Sequence, residues 1–129
     1  MIEVLLVDDD ALLRGLLAEW LFQAGYRVHQ ADNGVNALAM LCRRAFGLLI
    51  TDMDMPISGG LQIITEVRRM YPGLKVIAMS GGQRDGADWA LKALKHGAAK
   101  ALAKPLNREE LLAAVEAIAP RNQPGTKRT

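Results

Sequence analysis

The sequence predicts an α/β domain in which five strands alternate with five helices, (βα)5, around a parallel sheet. Three observations predict it. Short apolar, β-rich runs alternate with longer segments of helical period along the whole chain. The strongest of these runs are nearly continuous in Val, Ile, Leu and Met, as strands covered on both faces require. A chain of 129 residues, half of them hydrophobic, can close one core but not two.

The strands are expected at residues 2–7, 27–31, 47–51, 75–79 and 100–103, with the second and fifth carrying the weaker apolar signal. The first helix, about 11–24, places Leu13, Leu16, Leu17, Trp20 and Leu21 on one stripe and stops at Gly25. The second, about 35–45, turns Leu38, Leu41 and Cys42 inward, and the third, about 60–71, buries Leu61, Ile64 and Val67 before Pro72-Gly73 ends it. The fourth, about 84–96, carries Ala87, Ala90, Leu91 and Leu94 and stops at Gly97. The fifth opens with Asn107 as N-cap and Glu110 three residues later, and buries Leu111, Leu112, Val115 and Ile118. Beyond Ile118 the periodicity is lost. Residues 1–119 are therefore expected to be the domain, and 120–129 a flexible basic tail or truncated linker.

Charge excludes one class of function. The formal net charge of +2 comes from the tail: without Arg121, Lys127 and Arg128, residues 1–119 hold 13 basic against 14 acidic groups. No basic stripe of the kind that tracks a phosphate backbone is present, so direct nucleic-acid binding by this domain is not expected. Cys42 alone cannot form an internal disulfide, and His29 and His96 lack zinc-ligand spacing. The start of the chain has no basic n-region, and the longest apolar stretch is broken by Arg14 and Glu19. A cytoplasmic location without membrane contact is expected.

Polar residues interrupt the pattern at one recurring place, directly after a strand, where an open parallel sheet presents its carboxyl ends to ligands. Asp8, Asp9 and Asp10 follow the first strand, Asp52 the third, Ser80 the fourth, and Lys104 with Pro105 the fifth. Singly, each has a plain structural explanation: Asp10 is a good N-cap, and Ser80-Gly81-Gly82 is a good turn. Together they make chemical sense. Convergent carboxylates repel one another and need a divalent cation, for which Mg²⁺, a hard ion that keeps open positions, is the natural candidate. A carboxylate beside such an ion is a competent nucleophile toward phosphorus. The oxygens of the product need donors, which the cation, the Lys104 ammonium and the Ser80 hydroxyl supply.

Leu-Leu-Val-Asp8-Asp9-Asp10, Leu-Ile-Thr-Asp52-Met-Asp54-Met55-Pro56 with Gly59-Gly60, Met79-Ser80-Gly81 and Lys104-Pro105 together resemble the receiver domain of two-component response regulators, of the chemotaxis-regulator type. The resemblance covers about residues 1–119. It implies the flavodoxin-like three-layer fold with strand order 2-1-3-4-5 and a cis Lys104–Pro105 bond. It also implies that Asp52 accepts a phosphoryl group from a histidine kinase or phosphotransfer protein. Asp8, Asp9, Asp52 and the backbone carbonyl of Asp54 would hold Mg²⁺, with Ser80 and Lys104 reading the phosphoryl oxygens. The implied output is a shifted conformational equilibrium on the face of the fourth helix, fifth strand and fifth helix, read by a downstream protein, a missing output domain or a second copy of the chain.

Departures from the family pattern bear on the switch. Many receivers carry Tyr or Phe three residues before the lysine, where this chain has Ala101, so the signal is expected to travel by loop and backbone shifts. Leu106 stands where Phe is common, and Gly82 where a bulky or polar residue is frequent, which predicts a phosphoryl group open to water and quick self-dephosphorylation. Trp89 points about 150° away from the Ala87, Ala90, Leu91 and Leu94 stripe at 100° per residue. That predicts an outer-face aromatic available to a partner. Trp20 reads as core, Cys42 as a small buried hydrophobe, His96 as a helix-end residue, His29 as a sheet-face residue, and Arg43-Arg44 and Arg68-Arg69 as solvated helix ends. The competing enzymatic reading, a haloacid dehalogenase-type phosphatase built on Asp52-Met-Asp54, fails on order. In that family the nucleophile strand comes first and an acidic pair last, whereas here the acidic run precedes Asp52. A constitutive binding module that needs no phosphorylation is the other alternative.

Overall fold

The computed structural model describes residues 2–55, 60–81 and 88–120. Its elements run β1 (Glu3–Val7), α1 (Ala11–Gln23), β2 (Arg27–Ala31), α2 (Gly34–Arg43), β3 (Leu48–Asp52), α3 (Gly60–Met70), β4 (Lys75–Ser80), α4 (Asp88–Lys95), β5 (Lys100–Ala103) and α5 (Arg108–Ile118). All four strand pairings are parallel and the sheet order is β2-β1-β3-β4-β5. This is the flavodoxin-like arrangement. Expected Pro56, Gly59, Gly82, Ala87 and the 120–129 tail beyond Pro120 lie outside the described residues.

Alternation along the central strands sorts the core into two layers. Val4 and Leu6 of β1, Leu48 and Ile50 of β3, and Ile77 and Met79 of β4 pack with Leu17, Leu21, Leu111 and Val115 of α1 and α5. Leu5, Val7, Leu49, Val76 and Ala78 face the other way, against Leu41, Ile63, Ile64 and Val67 of α2 and α3. Every residue of β3 is buried, as the continuous apolar run predicts. Helix ends follow local chemistry. Asp10 caps α1 by accepting from the backbone N–H groups of Leu12 and Leu13, and Asn107 caps α5 by accepting from that of Glu110. Gly25 and Gly97 take positive φ just past α1 and α4, and a Cβ at Gly97 would also run into the Arg68 stem.

Several side chains face otherwise than the sequence predicts. Trp89 is buried, at 8% exposure, and belongs with Ala93 to the core layer beneath α2, α3 and α4. The outer-face reading is overturned, and with it the availability of this indole to a partner. Leu91 and Leu94 are instead exposed, with Lys92 and Lys95, on α4. Ala78, Ala93 and Ala98 belong to the same layer, with Ala101 packed against it, and their small side chains leave volume for an indole. A helix stripe scored by its leucines therefore points the wrong way. Leu16 is exposed, while Ala18 joins Leu17 and Leu21 in the buried stripe of α1. Cys42 is exposed rather than buried, because α2 turns Ala37 and Leu41 inward. Arg68 is half-buried and donates to the carbonyls of Pro72 and Leu74, so only Arg69 of that pair is a solvated helix end. His96 ends α4 with Nδ1 2.8 Å from the Lys92 carbonyl.

Candidate phosphoacceptor site

The parallel register carries four strand ends to one rim. Pairing continues one residue past the strands, with the Asp8 N–H donating to the Ala31 carbonyl, that of Met53 to Met79 and that of Lys104 to Ser80. Asp8, Asp52, Ser80 and Lys104 are thereby set side by side on backbone that the sheet holds rigid. The Lys104–Pro105 peptide is cis.

Asp8 and Asp52 are buried at 0% and 2% exposure, and Asp9 is exposed. The Lys104 ammonium lies between the two buried carboxylates, 3.0 Å from Asp8 Oδ2 and 3.2 Å from Asp52 Oδ1. The other Asp8 oxygen accepts the Asp10 N–H at 2.9 Å, and Asp52 Oδ1 also accepts the Asp54 N–H at 3.1 Å. Burial pushes the Asp52 carboxyl above the usual carboxylate range, helped by the Asp8 charge and opposed by the Asp54 N–H and Lys104. Burial also works against the Lys104 charge, but the hydrogen bond to Asp8 and the Asp52 carboxylate outweigh it and raise the ammonium above its ordinary value. Among the described residues, one ammonium therefore serves a site with an excess of carboxylates.

Asp8, Asp9 and Asp52 can each bring one carboxylate oxygen within 4.8 Å of the others. Oxygens on opposite sides of a Mg²⁺ ion lie about 4.2 Å apart, so the donor set is close to the spacing that one hard divalent cation needs. The Asp54 side chain is not in that group. Its Oδ2 instead accepts from Ser80 Oγ at 2.8 Å and from the Gly81 N–H at 3.0 Å.

A profile of the response regulator receiver domain matches residues 4–116. The chain belongs to the response regulator receiver family. Among curated relatives, this receiver domain is 39% identical over 117 residues to a protein-glutamate methylesterase/protein-glutamine glutaminase of Paramagnetospirillum magneticum, with 89% of the chain and 31% of the relative covered. It is 37% identical over 125 residues to the response regulator protein FleR of Pseudomonas aeruginosa, covering 97% of the chain and 26% of the relative. The chain thus spans about a third or less of these relatives. Solved receivers match it nearly end to end. The chemotaxis protein CheY4 of Vibrio cholerae gives a TM-score of 0.84 at 29% identity, covering 92% of this chain and 98% of that one. The response regulator TrrA of Thermotoga maritima, solved in complex with Mg²⁺ and BeF, gives 0.81 at 30% identity, covering 92% and 99%.

Two features of the receiver's rim are absent from the motif reading. Arg14, on the first turns of α1, donates to the Asp8 carbonyl at 2.7 Å and to Gln30 Oε1 at 3.0 Å, tying the acidic loop to β2. The Gly81 N–H and the Asp54 carboxylate form a second contact across the rim. Neither has a periodic signal, because the Asp8 carbonyl, Gln30 and the Gly81 N–H are brought to their partners only by the fold. No helix among the described residues is long and apolar enough to cross a membrane.

Proposed function

We propose that Asp52 is the phosphoacceptor of a cytoplasmic two-component pathway, taking a phosphoryl group from the phosphohistidine of a sensor kinase or phosphotransfer protein. The observation that carries this reading is the buried Asp52 carboxylate beside the Lys104 ammonium at 3.2 Å, with Asp8 and Asp9 oxygens close enough to share a metal ion with it. An Asp52 oxygen attacks phosphorus, the donor's phosphorus–nitrogen bond breaks, and the electron pair leaves with the imidazole. Asp8, Asp9, Asp52 and the Asp54 carbonyl would hold Mg²⁺, which when bound supplies neutralisation of the charge spread over the phosphoryl oxygens. Lys104 is already aimed at Asp52 and contributes a fixed positive charge without reorganisation. Ser80, buried at the end of β4, reads a phosphoryl oxygen through its hydroxyl.

The receiver catalyses its own phosphorylation and dephosphorylation in this scheme, and the absence of a side chain at Gly82 in the sequence favours water attack. The output face comprises α4, β5 and α5, and its partner is a downstream protein, an output domain or a second copy. Ala101 on β5, half-buried against the layer that holds Trp89, passes on movement of Ser80 through backbone shifts. Intact-mass spectrometry after incubation with acetyl phosphate tests the chemistry. One Mg²⁺-dependent, base-labile phosphoryl adduct is expected on the wild type and none on Asp52→Asn. Folded, Mg²⁺-bound protein that acquires no adduct would favour the constitutive binding module.

A further inference from the structure

The Asp54 carboxylate reaches across the rim to the end of β4. Its Oδ2 accepts the Ser80 hydroxyl at 2.8 Å and the Gly81 N–H at 3.0 Å, two donors that converge at the end of β4 and face the rim holding Asp52. The Asp54 backbone meanwhile donates to Asp52 Oδ1 at 3.1 Å, so the residue is tethered to the acceptor side of the site while its carboxylate reaches across to β4. A hydroxyl carries one hydrogen and a backbone amide carries one. Each can be given to the Asp54 carboxylate or to another anion, but not to both.

We propose that Asp54 is an internal anion that occupies the phosphoryl-reading donors of β4, and that a phosphoryl group on Asp52 must displace it to engage Ser80 and the Gly81 N–H. This rests on the phosphoacceptor reading above. Charge makes the exchange possible, because a phosphoryl group brings close to two negative charges and several acceptor oxygens against one charge on the carboxylate. Charge also makes it costly, because the expelled Asp54 carboxylate gives up two charge-assisted hydrogen bonds beside Asp8, Asp9 and the new phosphoryl group. Asp54 therefore sets a threshold. It stabilises the unphosphorylated arrangement of the β4 end, weakens the grip on the phosphoryl group and, when displaced, adds repulsion that favours its loss. A carboxylate at this position gives the site a resting state with the Ser80 hydroxyl committed rather than idle.

The test is a double-mutant cycle on beryllium fluoride affinity at saturating Mg²⁺, followed by calorimetry and by the bound fluorine resonance, with Mg²⁺ affinity measured separately for every variant. Asp54→Ala is expected to tighten beryllium fluoride about tenfold, the scale of one charge-assisted hydrogen bond. In a Ser80→Ala background, where one contested donor is gone, the gain should shrink to about threefold or less by the same reckoning. Asp54→Asn keeps the shape with a weaker acceptor, and carries the test with an intermediate gain if the alanine variant does not fold. Equal gains in both backgrounds would mean that Asp54 acts only through its charge at a distance, and would overturn the proposal. Unchanged or weakened binding on Asp54→Ala would overturn it as well. A wild type that takes phosphate from acetyl phosphate yet shows no gain on Asp54→Ala refutes this proposal alone, whereas one that neither binds beryllium fluoride nor forms an adduct refutes the phosphoacceptor reading too.

Discussion

The two rims of the sheet carry opposite imbalances of charge. At the carboxyl rim, among the described residues, the buried Asp8 and Asp52 share the one Lys104 ammonium, with Asp9 beside them. At the amino rim, the single half-buried Glu3 is met by Arg27 at 3.7 Å, His29 at 2.7 Å and Arg44 at 3.2 Å. Burial pushes the Asp52 carboxyl up. For Glu3, burial is outweighed by the hydrogen bonds and charges of His29 and Arg44, and its carboxyl is held below the ordinary range. The difference teaches what each rim is for. A surplus of cations around one carboxylate is complete in itself and staples β1, β2 and the end of α2 together. A surplus of buried carboxylates is incomplete without a cation. A pocket of about 440 Å³ lined by Leu41, Cys42, Phe46, Tyr71 and Leu74 opens at the amino rim.

The comparison breaks most sharply at Lys104. Lys104→Met should destabilise the cation-free protein by about 3 kcal/mol, since removing one partner of a buried ion pair strands the other charge, as read from the urea midpoint. Two buried carboxylates left without an ammonium are the reason. A loss below ~1 kcal/mol would place Asp8 and Asp52 in effective contact with water.

Asp52→Asn should act in the opposite sense. A carboxyl whose folded pKa lies above its unfolded value binds its proton more tightly when folded, so ionisation destabilises the fold. The penalty is complete above the raised folded pKa and vanishes as pH falls below the ordinary carboxylate value. Without divalent cations, Asp52→Asn is therefore expected to be the more stable protein at neutral pH, as read from the urea midpoint. That advantage should shrink toward pH 4. A difference that does not vary with pH would assign the effect to packing.

Glu3→Gln is the smallest change. A carboxyl with a lowered folded pKa contributes stability above its unfolded value and loses it as pH falls through the folded one. The loss on substitution at neutral pH should stay within about 0.5 kcal/mol and fade in salt, because its partners are largely solvated. Thermal midpoints at low and high ionic strength measure it. A loss as large as that for Lys104→Met would erase the contrast between the rims.

Strand positions and rim acids were legible because they are coded in runs. Continuous Val, Ile and Leu mark β1, β3 and β4, and a polar residue at the end of each run marks the rim, so Asp8, Asp52 and Ser80 could be placed before their neighbours were known. Strand order came from resemblance, since periodicity carries no information on which strands are adjacent. The facing of α4 was illegible for a packing reason: its inward residues are Trp89, Ala90 and Ala93, a mixture of one very large and two small side chains, while leucine sits outside. Cys42 was misplaced by the same preference for apolar character over volume, with Ala37 taking the inward position. Arg14 and the Asp54 carboxylate were missed because their partners, the Asp8 carbonyl and Gln30 for one, the Ser80 hydroxyl and Gly81 N–H for the other, are brought in by the fold and leave no sequence period.

The most direct test of the central claim is a Mg²⁺ titration of stability. Ligand that binds only the folded state stabilises by RT ln(1 + [L]/Kd), about 2.7 kcal/mol at a hundredfold excess over Kd. Wild type and Glu3→Gln are expected to gain stability together as Mg²⁺ rises, while Asp52→Asn and Asp9→Asn gain much less. Equal stabilisation of all four proteins, or none of any, would contradict the account of the carboxyl rim as a cation-dependent phosphoacceptor site.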